Sequence, residues 1–223
     1  MKNLKNFILC ILCLATASFS LTSCLGDDDD DDTPSILTPA ERAQQMNAMQ
    51  GIYNGYVYYN DYTAANGVDS LATSWNVTAP DSTLNCPAFP VKCFANCLSE
   101  TDSDAKAILL AAQPQRFNAE IRLFPYKNEQ EGYYFFYLFP KEEKMSYTVE
   151  LEEVSHTVVV TYTASSATVN GYGQTSFIYC TGGYYKSGLN AYVIVGNINI
   201  DYKDYNCSNL SNGANIFLLG GQK

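Results

Sequence analysis

A chain with one histidine, His156, has one candidate for the imidazole base of a serine or cysteine hydrolase. The Gly-x-Ser-x-Gly elbow that would present a serine nucleophile on a sharp strand-to-helix turn is missing from the sequence. His156 shares parity with Val158, Val160 and Tyr162, which sets it at the rim of an apolar strand face rather than beside a nucleophile. Glu150, Glu152 and Glu153 are the other acid–base candidates. Glycoside cleavage needs two carboxyl groups opposed across a sugar, whereas carboxylates crowded on one strand and its turn make a solvated face. Gly171-Tyr172-Gly173 lacks the rest of a phosphate loop. Cys86, Cys93 and Cys97 are spaced like part of a metal cluster, but a tetrahedral site needs four ligands and no histidine lies near them. The reading is therefore of a non-enzyme with no metal site and no cofactor.

Tyrosine is the side chain in surplus, with eighteen against a single tryptophan. It offers a broad ring for contact at small rotamer cost, and its hydroxyl needs a partner or water. Several tyrosines fall in or beside expected turns, among them Tyr59 with Tyr62 and Tyr202 with Tyr205. Tyr184 and Tyr185 follow Gly182-Gly183, a pair expected to let the backbone turn sharply and hold both rings outward. These two are the candidate binding residues, for a glycan, a peptide or a protein.

The elements that would position such residues are mostly strands. Thr38-Pro39-Ala40-Glu41 reads as a capped helix start, with Ala43, Met46 and Met49 on one face and Gly51 placed to end the helix. From Ile52 the chain turns strand-like, and Asn66-Gly67 marks a hairpin turn before Leu71, Thr73, Trp75 and Val77. Ser82 to Cys86 is a short strand stopped by Pro87 and Pro90. Val91 to Leu98 and Ala105 to Gln113 read as a two-helix insert, the second capped by Asp102 or Ser103 and ended by Pro114. Phe117–Phe124 and Tyr133–Phe139 return to β, the latter apolar on both faces and so expected to be covered on both. Met145, Tyr147, Val149 and Leu151 alternate with polar residues as in a half-buried strand, and a turn at Glu153 to Ser155 leads into Thr157–Thr163. Ser176–Thr181 follows. Tyr192, Ile194, Ile198, Ile200 and Tyr202 line one face of a long strand, with Gly196 at a bend or bulge, and 214–219 closes the chain. About nine strands with short turns make a mainly β domain, an antiparallel β-sandwich or a barrel, with a short N-terminal helix and a two-helix insert.

The N-terminus carries an address. Lys2 and Lys5 precede an apolar run from Phe7 to Leu14, the pattern of a secretory signal and too short for a span of ~20 residues. The run ends at Leu21-Thr22-Ser23-Cys24, which resembles the lipobox of bacterial lipoproteins. The resemblance implies a signal peptide over 1–23 and a diacylglycerol on Cys24 as the new N-terminus. Residues 24–34, with six aspartates from Asp27 to Asp32, are expected to be a self-repelling tether, and 35–223 one β-rich domain. The aspartate block resembles the surface-export signal of lipoproteins in Bacteroides-type bacteria, implying an outer-membrane protein facing the exterior. The opening Gly51-Ile52-Tyr53-Asn54-Gly55, after a short helix, is similar to the first strand of lipocalin-like barrels. With Asp81-Ser82-Thr83-Leu84 and Phe89-Pro90-Val91, the chain resembles uncharacterised lipoprotein domains of Bacteroides-type gut bacteria. Asp69-Ser70-Leu71 and Asp81-Ser82-Thr83 resemble the O-glycosylation sequon of such bacteria, which implies glycans at Ser70 and Ser82.

Charge and cysteine count bound the partners. The chain carries −10, and without the two signal lysines and six tether aspartates the body holds 11 basic against 17 acidic residues. An acidic body has no use for nucleic-acid phosphates. The expected partners are the membrane, through lipid on Cys24, and a glycan or protein ligand. The alternatives are a structural or assembly component of the envelope, an adhesin, or a carrier of small lipophilic molecules. Five cysteines stay in the body: Cys86, Cys93, Cys97, Cys180 and Cys207. Export permits disulfides among them, the odd count leaves at least one unpaired within the chain, and connectivity is open.

Overall fold

Thr38 starts the first helix by a reciprocal bond. Its Oγ1 accepts the Glu41 N–H at 3.3 Å, and the Glu41 carboxylate accepts the Thr38 N–H at 2.9 Å. With Pro39 at the first helical position this capping box opens α1, Pro39–Met49. The computed structural model describes residues 36–61, 64, 65, 67–125, 131–163, 165–168, 175–178, 180–207 and 215–223, of which 165–168, 175–178 and 180 by backbone alone. The signal segment, Cys24, the aspartate run, Tyr62, Asn66 and Gly171-Tyr172-Gly173 lie outside the described residues. Pro34–Lys223 form one compact unit. Gly51, expected to end the helix, instead opens the first strand at φ +148°, and Gln50 is the cap.

Thirteen strands are described. They are β1 Gly51–Asn60, β2 Val68–Thr78, β3 Thr83–Phe89, β4 Gln115–Leu123, β5 Tyr134–Pro140, β6 Lys144–Leu151 and β7 Val154–Tyr162. There follow β8 Ser165–Thr168, β9 Thr175–Ile178, β10 Cys180–Tyr185, β11 Gly188–Ile200, β12 Lys203–Asn206 and β13 Ile216–Gln222. Eight of them close an antiparallel barrel in the order β1-β2-β3-β4-β5-β10-β11-β13 and back to β1. Round this ring the strands keep chain order, so the barrel is an up-and-down meander. The expected choice between sandwich and barrel falls to the barrel, and closure leaves those eight strands without free edges.

A bulge decides where the barrel stops. Between Val195 and Asn197 the pairing of β11 with β7 shifts register at Gly196. Before the bulge Leu189, Ala191, Val193 and Val195 are buried; after it Ile198 and Ile200 are. The long strand therefore changes parity at Gly196, and the single apolar face expected from Tyr192 to Tyr202 does not exist. Tyr202 lies in the β11–β12 turn at φ 72° and is 98% exposed. Beyond the bulge β11 pairs β7 and β12, and β6 pairs β7, making a small side sheet. Met145, Tyr147, Val149, Val158 and Val160 bury one of its faces.

Each end of the barrel is stopped. At one end Met49, at the foot of α1, accepts the Tyr53 hydroxyl at 2.5 Å, and Tyr53 stacks on Trp75 at 5.8 Å. Lys223 Nζ bonds the carbonyls of Ala48 at 2.5 Å and Gln50 at 3.0 Å, a cation set against the carbonyl end of a helix. The insert supplies the other stopper. It is a 3₁₀ segment, Val91–Cys97, and α2, Ser103–Ala111, in place of two ordinary helices. Phe94 of the 3₁₀ segment packs against Phe89 at 5.5 Å and Phe217 at 5.0 Å, and Phe89 meets Phe117. Pro87, expected to stop β3, lies instead where pairing with β4 shifts register between Cys86 and Phe89, a bulge that tolerates proline.

Candidate functional site

The barrel interior is filled with side chains. Trp75, Tyr53, Phe117, Phe136 and Phe217 are all buried at 2% exposure or less, as are Leu84, Leu138 and Leu189 between them. Eight strands enclose a space that side chains of this size close off. Chemistry has more room on the outside, and β5 supplies the material.

Alternate residues of a strand face opposite ways, so Phe136 and Leu138 of β5 enter the core while Tyr133, Phe135, Tyr137 and Phe139 stand outward. Sequence alone has both faces covered; Phe135 is in fact 42% exposed. The outer rings form a ladder. Tyr133 lies 5.0 Å from Phe135 and stacks on Tyr185 of β10 at 5.2 Å and 27°. Further along, Tyr137 meets Phe124 at 5.5 Å and Phe139 at 6.4 Å. From Tyr133 to Phe139 the ladder runs ~20 Å at the usual strand rise. A cation sits at each end, with Lys186 Nζ 4.9 Å from the Tyr185 ring and the Arg122 guanidinium 4.3 Å from that of Phe139.

Gly182 and Gly183 make this geometry, though not as a turn. They pair Phe136 and Phe135 across β5. A Cβ at Gly182 would come within 2.3 Å of the Phe136 ring, so an inward side chain has no space there. A Cβ at Gly183 would lie 3.4 Å from Tyr133 and 3.9 Å from Phe135 on the outer side, so these rings lie over bare backbone. The turn comes later, at Lys186 and Ser187, both at positive φ.

The candidate tyrosines are consequently separated. Tyr184 faces inward, buried, stacked on Tyr134 at 5.6 Å and 12°, with Lys223 Nζ 5.3 Å from its ring. Tyr185 faces outward in the ladder, half-buried. Neighbours in a strand cannot share a face, and Gly182-Gly183, expected as a turn, lie within β10 instead. Tyr133 and Phe135, expected to be covered, belong to the outer ladder as well. Their signal was a glycine directly across from an aromatic residue on a neighbouring strand.

The ladder runs into a cleft of about 630 Å³ between α1 and β4, lined by Arg42, Met46, Ser82, Arg122, Leu123 and Tyr137. A hollow of about 350 Å³ adjoins it through Arg122 and takes in Phe139, Lys141 and Glu143. Arg122 pairs with Glu120 through two bonds of 2.8 Å. That pairing holds the Glu120 carboxyl below its ordinary range and raises the guanidinium. The result is a planar set of donors and acceptors beside an aromatic ring.

The remaining candidates lie elsewhere. Ser70 is in β2 opposite Tyr58, half-buried, its N–H on the Asp69 carboxylate at 2.7 Å. Ser82 sits in the β2–β3 turn at φ 47°, its carbonyl accepting the Ile121 N–H at 2.7 Å. His156 Nδ1 lies 2.6 Å from Asp201 Oδ2, tying β7 to the β11–β12 turn. Glu150 is on β6, and Glu152 and Glu153 form the β6–β7 turn at positive φ, one step earlier than expected. Cys86, Cys93, Cys97 and Cys207 are buried, and Cys180 is in β10. No helix among the described residues is long and apolar enough to cross a membrane. A family model described as a domain of unknown function, DUF4840, matches residues 48–194, from the foot of α1 through most of the barrel-forming part of β11. No curated protein and no solved structure matches the chain.

Proposed function

We propose, from the premise that this chain belongs to the DUF4840 family, that it is a surface binding module for a saccharide chain. The observation that carries the reading is the outward ladder of Tyr185, Tyr133 and Phe135 over the bare backbone of Gly183. Ring faces in a row offer flat apolar contact to the apolar face of a sugar, with little rotamer entropy to lose. The Glu120–Arg122 pair at the far end supplies acceptors and donors for hydroxyl groups. The acidic body disfavours polyanions, so a neutral glycan is the substrate class. The ring-filled interior favours an outer face over a lipophilic cargo. Lipid on Cys24 and the aspartate tether would hold the module at the outer membrane, facing the exterior.

One experiment on intact cells addresses both halves. Cells expressing the parent should carry fatty-acid label on the protein and bind fluorescent neutral oligosaccharides. Cys24→Ala should lose the label and the cell-surface binding. Phe135→Ala with Tyr185→Ala should keep the label and lose binding at least tenfold. Binding unchanged in the double variant would sink the ladder as the site, and labelling unchanged in Cys24→Ala would sink the anchor.

A second reading has its own support. The path of paired strands ends at β6, whose outer edge has no strand partner among the described residues. An edge of this kind can accept a strand from an envelope partner, which is the assembly role.

A further inference from the structure

Three buried cysteines meet behind the 3₁₀ segment. Cys93 and Cys97 come from that segment, and Cys207 follows β12. Cys93 and Cys97 feel each other electrostatically, and Cys97 and Cys207 share a side-chain hydrogen bond. Cys207 Sγ also lies 3.9 Å from the Cys97 carbonyl and 3.4 Å from that of Tyr205. Backbone bonds hold Cys207 itself and the residue that follows Cys97. The Cys207 N–H donates to Gly196 at 2.9 Å, at the β11 bulge, and the Leu98 N–H donates to Ala95 at 3.2 Å.

We propose that Cys97 and Cys207 are a disulfide-forming pair that staples the insert to the β12–β13 connection. The oxidant is a protein or small-molecule disulfide. The Cys207 thiolate attacks one of its sulfurs and expels a thiolate, giving a mixed disulfide. The Cys97 thiolate then attacks Cys207 Sγ and expels the second thiol. Two protein thiols become one S–S bond while the oxidant's S–S bond becomes two thiols, so electrons and protons balance. Once the pair is folded, the hydrogen bond with Cys97 lowers the pKa of the Cys207 thiol, whereas burial raises those of Cys93 and Cys97.

Separation in sequence gives the bond its purpose. It would close a loop of 110 residues, from the 3₁₀ stopper to the connection before β13. Long loops lose the most chain entropy when cross-linked, so such a staple acts chiefly on the unfolded chain. It would fix Phe94 in the barrel end from outside. Because both sulfurs are buried, exchange with an oxidant belongs to folding rather than to the folded state.

The test refolds the reduced, unfolded full chain in oxidised glutathione, then unfolds and alkylates it. The expected result is two alkylated thiols fewer than in the reduced chain and one peptide linking Cys97 to Cys207. Cys93→Ser should give the same linked peptide, and Cys207→Ser should lose it. A full complement of alkylated thiols in the parent would overturn the proposal. So would a linked peptide joining Cys93 to Cys207, or glutathione retained on Cys207. Peptide mapping of the parent does not depend on any variant folding.

Discussion

Tyr184 and Tyr185 differ by one position and by everything that follows from it. The pleat sends the first into the barrel, against Tyr134 and beneath Lys223, and the second onto the outer ladder against Tyr133. Truncating the buried ring leaves a void that a rigid barrel cannot close. Tyr184→Ala should therefore cost about 3–5 kcal/mol, in the range for large core rings, and Tyr185→Ala about 1 kcal/mol. Urea unfolding of the two variants checks this, with the midpoint shifting several-fold more for the first. Equal shifts would mean that the outer ring is part of the packed structure rather than of a ligand surface. At this scale the sequence was partly legible. Thr38, Pro39 and Glu41 announce their cap because the bonds are local. Gly182-Gly183 do not announce their role, because it is set by Phe135 and Phe136 on a strand more than forty residues away.

Among the elements, the β11–β12 turn is held by side chains that a sequence cannot bring together. Asp201 sits in the left-handed region at φ 47° and accepts from the Thr157 N–H at 2.8 Å as well as meeting His156. The His156 bond first, and the Thr157 N–H second, lower the Asp201 pKa. A depressed carboxylate adds stability that is fully present above its unfolded value of about 3.9 and is lost as pH falls through the lower folded value. Asparagine tolerates the same backbone, so Asp201→Asn removes the charge and keeps the turn. The parent should melt higher than Asp201→Asn at about pH 6, and the gap should close by about pH 2. Thermal melts across that range measure it; a gap that persists in acid would show that the carboxylate charge is not what pins the turn. The strands themselves were legible wherever one face is buried, as in β6, where Met145, Tyr147 and Val149 alternate with Ser146, Thr148 and Glu150. Gly196 was legible as a bulge but its consequence was not, since a one-residue register shift moves every later side chain to the other face.

For the molecule as a whole, β1 through β5 lie side by side in chain order, and an excursion through the side sheet separates β5 from β10. That topology explains what sequence could and could not say about closure. A meander of alternating strands looks the same whether it folds into two stacked sheets or one ring, and only the β1–β13 and β10–β11 pairings decide. Closure also divides the aromatic residues between two tasks. The inward rings, Trp75 and Phe117 among them, fill the barrel, while the outward ones of β5 and β10 form a surface. On the proposed function, ligand contacts the second set alone. The direct measurement is an NMR titration of the labelled protein with neutral oligosaccharides, following ring signals. Concentration-dependent shifts are expected at Tyr133, Phe135 and Tyr185, with Trp75, Tyr53 and Tyr184 unmoved. Shifts led by Trp75 would place the ligand inside the barrel and contradict the proposed function.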